Sequence, residues 1–351
     1  MFHEFQALPG ASPAQSFADS FEQIDAAERM GLDAMWIAEL HFDPSRSVAS
    51  SPLILAAAIA QRTRRMKIGT AVQVLPLCHP LRLAEEVATV DQLSAGRLIF
   101  GVGRSGFAHT YRTYGVDYGE SRERFSETLD IVKRAFTGER FSHQGKYFTY
   151  DNVKLSPVPV QRPPGEPPGP EIRVAAASPD TYIEVAELGH PIFVAARTGN
   201  ISELAPLVKT YREAWKKAGH PGEGEVFLRV PVYLAATDEA AREEPRESIM
   251  HLLRYIGDRL AASGPTSAAR ESLEKRAERA QKMQSIDYEE VLRERMIVGT
   301  PARVIERLAQ LKEELGLDGI LAELNPGSLI PHQRVMMALK LLCEEVMPRF
   351  R

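Results

Sequence analysis

Four short stretches of the chain carry side chains able to do chemistry. Glu39-Leu40-His41-Phe42 brings a histidine into a loop, and imidazole is the side chain that carries protons near neutral pH. His79-Pro80 offers a second one, although a histidine before a proline also serves as a helix cap. Gly101-Val102-Gly103-Arg104-Ser105-Gly106 fits the spacing GxGxxG. A dinucleotide fingerprint also needs an apolar helix directly after it and an acidic strand end about 20 residues on. Neither follows here, so the glycines are expected to let backbone approach a ligand, with Arg104 as an anion-binding residue. Ser178-Pro179-Asp180-Thr181 reads as a helix start, with Ser178 as N-cap. Such an end either is simply capped or seats a phosphate on its free N–H groups. Arg104 and Arg122 are the candidate counter-charges. No HExxH, GxSxG or CxxC occurs, so zinc hydrolysis, serine hydrolysis and dithiol chemistry have no support.

The elements that must position these residues alternate. Strand-like runs at 2–6, 33–39, 66–75, 97–102, 172–176, 192–195, 226–235 and 319–324 are each followed by an amphipathic helical run. The helices are expected at 16–30, 53–61, 80–94, 121–136, 179–188, 204–218, 300–315 and 333–346. Eight strand–helix units predict an α/β fold closed as a (β/α)8 TIM barrel, one domain over residues 1–351. Two segments break the rhythm. Residues 154–172 hold seven prolines and read as an extended connector after a hairpin near 141–150. Residues 238–297 form a charged insertion, mobile near 261–272. Long insertions at strand ends often act as lids.

The 351 residues are 44% hydrophobic and 26% charged, ordinary globular values that exclude disorder as the main state. The formal net charge of −4 gives no polybasic field for nucleic acid or membrane. Two cysteines cannot build a disulfide framework. The start shows no basic-then-apolar leader, and a cytoplasmic location is the expectation.

Taken in order, several segments resemble the bacterial luciferase-like family of flavin-dependent oxidoreductases. They are Gly31-Leu32-Asp33-Ala34-Met35-Trp36-Ile37-Ala38-Glu39-Leu40-His41-Phe42, then Gly69-Thr70-Ala71-Val72-Gln73-Val74-Leu75-Pro76-Leu77-Cys78-His79-Pro80-Leu81-Arg82. Asp91-Gln92-Leu93-Ser94-Ala95-Gly96-Arg97-Leu98, Gly101-Val102-Gly103-Arg104, Val298-Gly299-Thr300-Pro301 and Val346-Met347-Pro348 follow. The resemblance implies the same barrel, reduced FMN as cosubstrate, and dioxygen. It places the FMN phosphate on Arg104, Arg122, Ser178 and Thr181, with backbone from Ala177. It also implies a cis peptide at Ala71–Val72. The family's paired histidines fall on Leu40-His41, so the first is replaced, and a reactive cysteine of the luciferases falls on Gly103. Many relatives begin a few residues earlier, which puts His3 and Glu4 near the barrel mouth.

The function expected on this basis is an FMN-dependent monooxygenase acting on a small organic substrate, served by a separate flavin reductase. His41 and His79 are its candidate proton donors or acceptors. Trp36, Leu40, Leu75, Phe107 and Glu323 are candidate pocket residues, with Asn325 a weaker one. A deazaflavin-dependent oxidoreductase and a flavin-binding protein without turnover remain as alternatives. A homodimer through the helices at 53–61 and 81–93 is expected.

Overall fold

In a computed structural model that describes residues 1–163, 167–196, 199–262 and 270–351, eight parallel strands close into a barrel. They are β1 (Phe2–His3), β2 (Ala34–Ile37), β3 (Lys67–Thr70), β4 (Leu98–Gly103), β5 (Glu171–Ala175), β6 (Ile192–Ala195), β7 (Val226–Leu234) and β8 (Gly319–Glu323). Each pairs with the next in sequence, and Phe2 opposite Glu323 closes β8 onto β1. The helices α1 (Pro13–Arg29), α2 (Pro52–Arg62), α3 (Pro80–Leu93), α4 (Ser121–Phe136), α5 (Pro179–Glu187), α6 (Ala205–Lys217), α7 (Pro301–Leu315) and α8 (His332–Leu341) ring it. The predicted (β/α)8 architecture is thus observed.

Local signals explain the boundaries. Ser12 caps α1 by accepting from the Gln15 N–H, and Pro13 supplies a preset first turn. α7 starts at Pro301 and stops at Gly316, whose φ of +60° suits a residue without Cβ. Barrel interior and outer shell are separate apolar clusters. Inside, Trp36 meets Phe193 edge-on at 5.1 Å between ring centroids, and Arg173 lies 3.6 Å over the Phe227 ring.

Several expectations shift. The run at 66–75 is broken by the cis peptide Ala71–Val72, so the chain resumes as Gln73–Val74 beside β4 and then turns at Leu75–Leu77. The glycines at 101 and 103 serve protein packing. A Cβ on Gly101 would sit 1.8 Å from the Thr70 carbonyl oxygen, and one on Gly103 2.6 Å from Val72. β1 ends at His3 because Phe5 turns to φ +49°. The closing helix ends early, at Leu341, and continues as a wider turn over Leu342–Val346.

The hairpin pairs Phe141–Gln144 with Thr149–Val153. The connector is held by Asp91, fully buried, which accepts from Val160 N (2.7 Å), Gln161 N (3.1 Å) and Gln161 Nε2 (2.7 Å). The insertion contains the helices Asp238–Glu243, Arg246–Ala262, Arg270–Ser285 and Tyr288–Glu294. It ends in a short strand, Ile297–Gly299, which extends the sheet beside β7 and was not expected. The stretch expected to be mobile, 261–272, lies largely outside the described residues.

Candidate active site

Chemistry in such barrels sits at the C-terminal strand ends. There the loop after β2 carries Glu39 and His41. The Glu39 carboxylate, 3% exposed, takes His41 Nε2 at 2.7 Å on one oxygen. Its other oxygen accepts from Gln73 Nε2 (2.6 Å) and Val74 N (2.8 Å), just past the cis peptide. A carboxylate only accepts, so the neutral His41 ring carries its proton on Nε2. Nδ1 is then the acceptor, and the Tyr114 hydroxyl donates to it at 3.2 Å. His41, Leu40, Phe107, His109 and Tyr255 line a slot of about 10 Å³. Burial, then Arg259, lowers the His109 pKa. Two non-glycine residues beside the slot, Phe42 (φ +57°) and Ser105 (φ +58°), hold left-handed backbone, a strain that clusters at functional sites.

The insertion helix Arg246–Ala262 closes over this loop. Tyr255 and Arg259 (2.9 Å) both donate to buried Asp43. At its other end Ser248 donates to Pro326 O (2.6 Å) and accepts from Leu329 N (2.9 Å).

A second cleft, of about 280 Å³, lies at the ends of β4 and β5. Gly103, Arg104, Arg122 and Thr181 line it, with Glu184 on its rim. Ser178 occupies the N-cap of α5, but its hydroxyl turns to Thr181 Oγ1 (2.8 Å) and caps no N–H. In the first turn of α5 Pro179 has no N–H, and Thr181 N (2.9 Å) and Tyr182 N (3.3 Å) donate to Ser178 O, which leaves the Asp180 N–H for an anion. Arg122, half exposed, pairs with Glu184. A phosphate group fits this donor set: two guanidinium groups, two hydroxyls and a helix N-terminus. Ala177 is exposed beside it, while Ala71 and Val72 flank the barrel interior.

Other expected residues lie elsewhere. His79 is exposed, caps α3 by accepting from Arg82 N, and packs against Phe148 and Tyr150 of the hairpin. It does not line the His41 slot. Leu75 is fully buried in the outer shell, in a turn that packs against α4. Trp36 fills the barrel axis and reaches a cavity of about 620 Å³ at the opposite, N-terminal end, lined also by Asp33, Lys67 and Arg173. That end of a barrel is the stability face. Asn325 is occupied by Ile330, donating to its carbonyl (3.2 Å) and accepting from its N–H (3.0 Å). His3 faces α1, donating to Gln23 Oε1 (3.0 Å) and accepting from Phe5 N (2.9 Å).

Glu4 and Glu323 belong to a buried charge cluster that the sequence reading missed as a set. Arg46 grips Glu4 through Nε (2.9 Å) and Nη2. Arg229 bridges Glu4 (3.0 Å) and Glu323 (2.8 Å) and stacks 3.7 Å over Phe2. Burial raises the Glu323 pKa, against the pull of Arg229. The available signal was an arginine inside the apolar run Val226–Leu234, and an acid at the exit of a strand.

Residues 1–319 match the sequence profile of the family described as luciferase-like monooxygenase. The chain belongs to this family. Among curated relatives of this luciferase-like chain is the oxygenase component of the flavin-dependent trigonelline monooxygenase of Acinetobacter baylyi. It is 25% identical over 96% of this chain and 90% of its own length. Among solved structures, the oxygenating constituent of 3,6-diketocamphane monooxygenase from Pseudomonas putida, in complex with FMN, superposes with a TM-score of 0.80. Its identity is 22%, covering 99% of this chain and 97% of the other. The coenzyme F420-dependent tetrahydromethanopterin reductase of Methanopyrus kandleri shares the fold at a TM-score of 0.71 and 19% identity, covering 98% and 97%.

Proposed function

We propose that this protein is the oxygenase component of a two-component FMN-dependent monooxygenase acting on a small organic substrate. The observation that carries the reading is the convergence of Arg104, Arg122 and Thr181, at the start of α5, on one cleft beside the barrel mouth. Reduced FMN bound there supplies the electrons that activate dioxygen. Arg104, Arg122, Ser178 and Thr181 hold its phosphate, with Ala177 contributing backbone, and Ala71 and Val72 bordering the ring side. Arg122 exchanges Glu184 for the phosphate on binding. His41, held by Glu39, accepts or donates a proton at Nδ1, and Leu40 and Phe107 border the same space. The insertion helix excludes water from the mouth. The slot is too small for a ring system, so binding at His41 requires this helix or the loop after β4 to shift. The flavin reductase and a homodimer belong to the same reading. Ile54 on α2 and Leu93 on α3, 71% and 47% exposed, are apolar groups available for the dimer contact.

The test is anaerobic titration with reduced FMN, then mixing with dioxygen and a substrate panel. Loss of one charge-assisted contact in Arg104→Ala predicts a Kd increase of roughly ten- to 150-fold, from about 1.5–3 kcal/mol. An unchanged affinity overturns the phosphate seat. The fold shared with a deazaflavin-dependent reductase gives a second reading, and tighter binding of the deazaflavin than of FMN would establish it.

A further inference from the structure

Behind the insertion helix, at the ends of β6, β7 and β8, lies a cavity of about 50 Å³ that the flavin reading does not use. Arg46, Arg229, Arg295 and Glu323 supply its polar wall, and aliphatic side chains of the helix, Leu252 and Ile256 among them, supply the other. All but Arg229 of these charged residues are more than nine-tenths buried.

Their hydrogen-bonding capacity is unfilled. Arg295 donates from Nη1 to Met283 Sδ at 3.2 Å, and no described residue accepts from its Nε or Nη2. Those two donors form the side of a guanidinium that clasps a carboxylate, as Arg46 clasps Glu4 through the same pair of atoms. Arg46 Nη1 and Glu323 Oε1 also lack partners among the described residues. A polar group buried in this way normally has a partner.

The geometry points to an anion pocket that takes the carboxylate of the substrate, with the adjoining hydrocarbon laid along Leu252 and Ile256. Arg295 and Arg46 Nη1 hold the anion, and Glu323 Oε1 accepts from any hydroxyl or amide beside it. The volume admits a carboxylate group with a short stem and no more. The substrate class is therefore a carboxylic acid. Calling the ligand a substrate rests on the monooxygenase reading; the anion pocket does not.

Calorimetry on the full chain without flavin separates the two. Sodium butyrate is titrated against butyramide, its neutral match in size, in one buffer. Butyrate is expected to bind about tenfold or more tightly than the amide, Arg295→Met to remove that preference, and Arg104→Ala to keep it. Equal affinity of the two probes, or loss of butyrate binding in Arg104→Ala, overturns the pocket. Should Arg295→Met not fold, the wild-type pair and Arg104→Ala decide alone. A protein that binds reduced FMN but shows no butyrate preference refutes this pocket and leaves the flavin seat standing. The opposite pattern refutes the flavin seat.

Discussion

Replacing Glu39 by glutamine changes one atom type in a fully engaged carboxylate. The oxygen that receives Gln73 Nε2 and Val74 N can stay an oxygen, so both bonds survive. The position facing His41 Nε2 then becomes an NH₂ group, which donates. Two donors cannot share the 2.7 Å contact, so His41 must move its proton to Nδ1. Nδ1 then donates to the Tyr114 hydroxyl, reversing that bond. The fold loses one charge-assisted hydrogen bond and gains a neutral one, a net cost of about 1–2 kcal/mol. Catalysis loses the ring nitrogen in its correct protonation state, which general acid–base catalysis values at roughly 10²–10⁴-fold in rate. Glu39→Ala is the stability contrast. It orphans Val74 N and leaves Gln73 Nε2 with only Cys78 Sγ, and should cost on the order of 2–4 kcal/mol. The assay is threefold: urea unfolding, turnover with a flavin reductase, and nitrogen NMR of the His41 tautomer. A Glu39→Gln protein that keeps the Nε2–H tautomer refutes the assignment. One that switches tautomer at full rate removes His41 from the chemistry.

Three further outcomes follow from the same geometry. Asp91→Ala should lose about 2–4 kcal/mol in urea unfolding, because Val160 N and Gln161 N lose their acceptor and Gln161 Nε2 keeps only Leu98 O. Asp43→Ala removes the acceptor that Tyr255 and Arg259 share, so limited proteolysis should cut the insertion faster while barrel fragments stay intact. His3 and His190 are pushed by burial from 6.5 down to about 4, so the fold holds both neutral. The unfolded chain then binds more protons between those values, and stability should fall as pH drops from about 6.5 toward 4. A His3→Gln protein should show a shallower fall, and an equal slope would mean that His3 is not the titrating group.

The barrel was legible because the βα units announce themselves locally, with a β-branched run, a helix start such as Pro80 and a stop such as Gly316. The residues of the proposed anion seat were legible for the same reason: Ser178-Pro179-Asp180-Thr181 is contiguous, and only the two arginines had to be brought to it. Glu39 was quoted as a neighbour of His41, but its hold on Gln73 and Val74 spans 34 residues and depends on the chain direction after the cis peptide. The Glu4, Arg46, Arg229 and Glu323 set is gathered from distant points of the sequence, and each member looks ordinary alone. His79 shows the reverse limit. Its position after a strand suited chemistry, yet the helix start beside it claimed the ring. Gly101 and Gly103 carry a ligand-binding spacing for a reason of backbone clearance.

The cluster that joins Glu4 to Glu323 through Arg229 also has a meaning in time. A ribosome emits Glu4 first and Glu323 more than three hundred residues later. Until then the edge of the first strand that faces Glu323 has no partner strand. The barrel is therefore sealed in a single late event, by its last strand docking against its first. A nascent chain of this protein must travel through most of its synthesis as an open sheet, the form in which strand edges are most exposed to other chains.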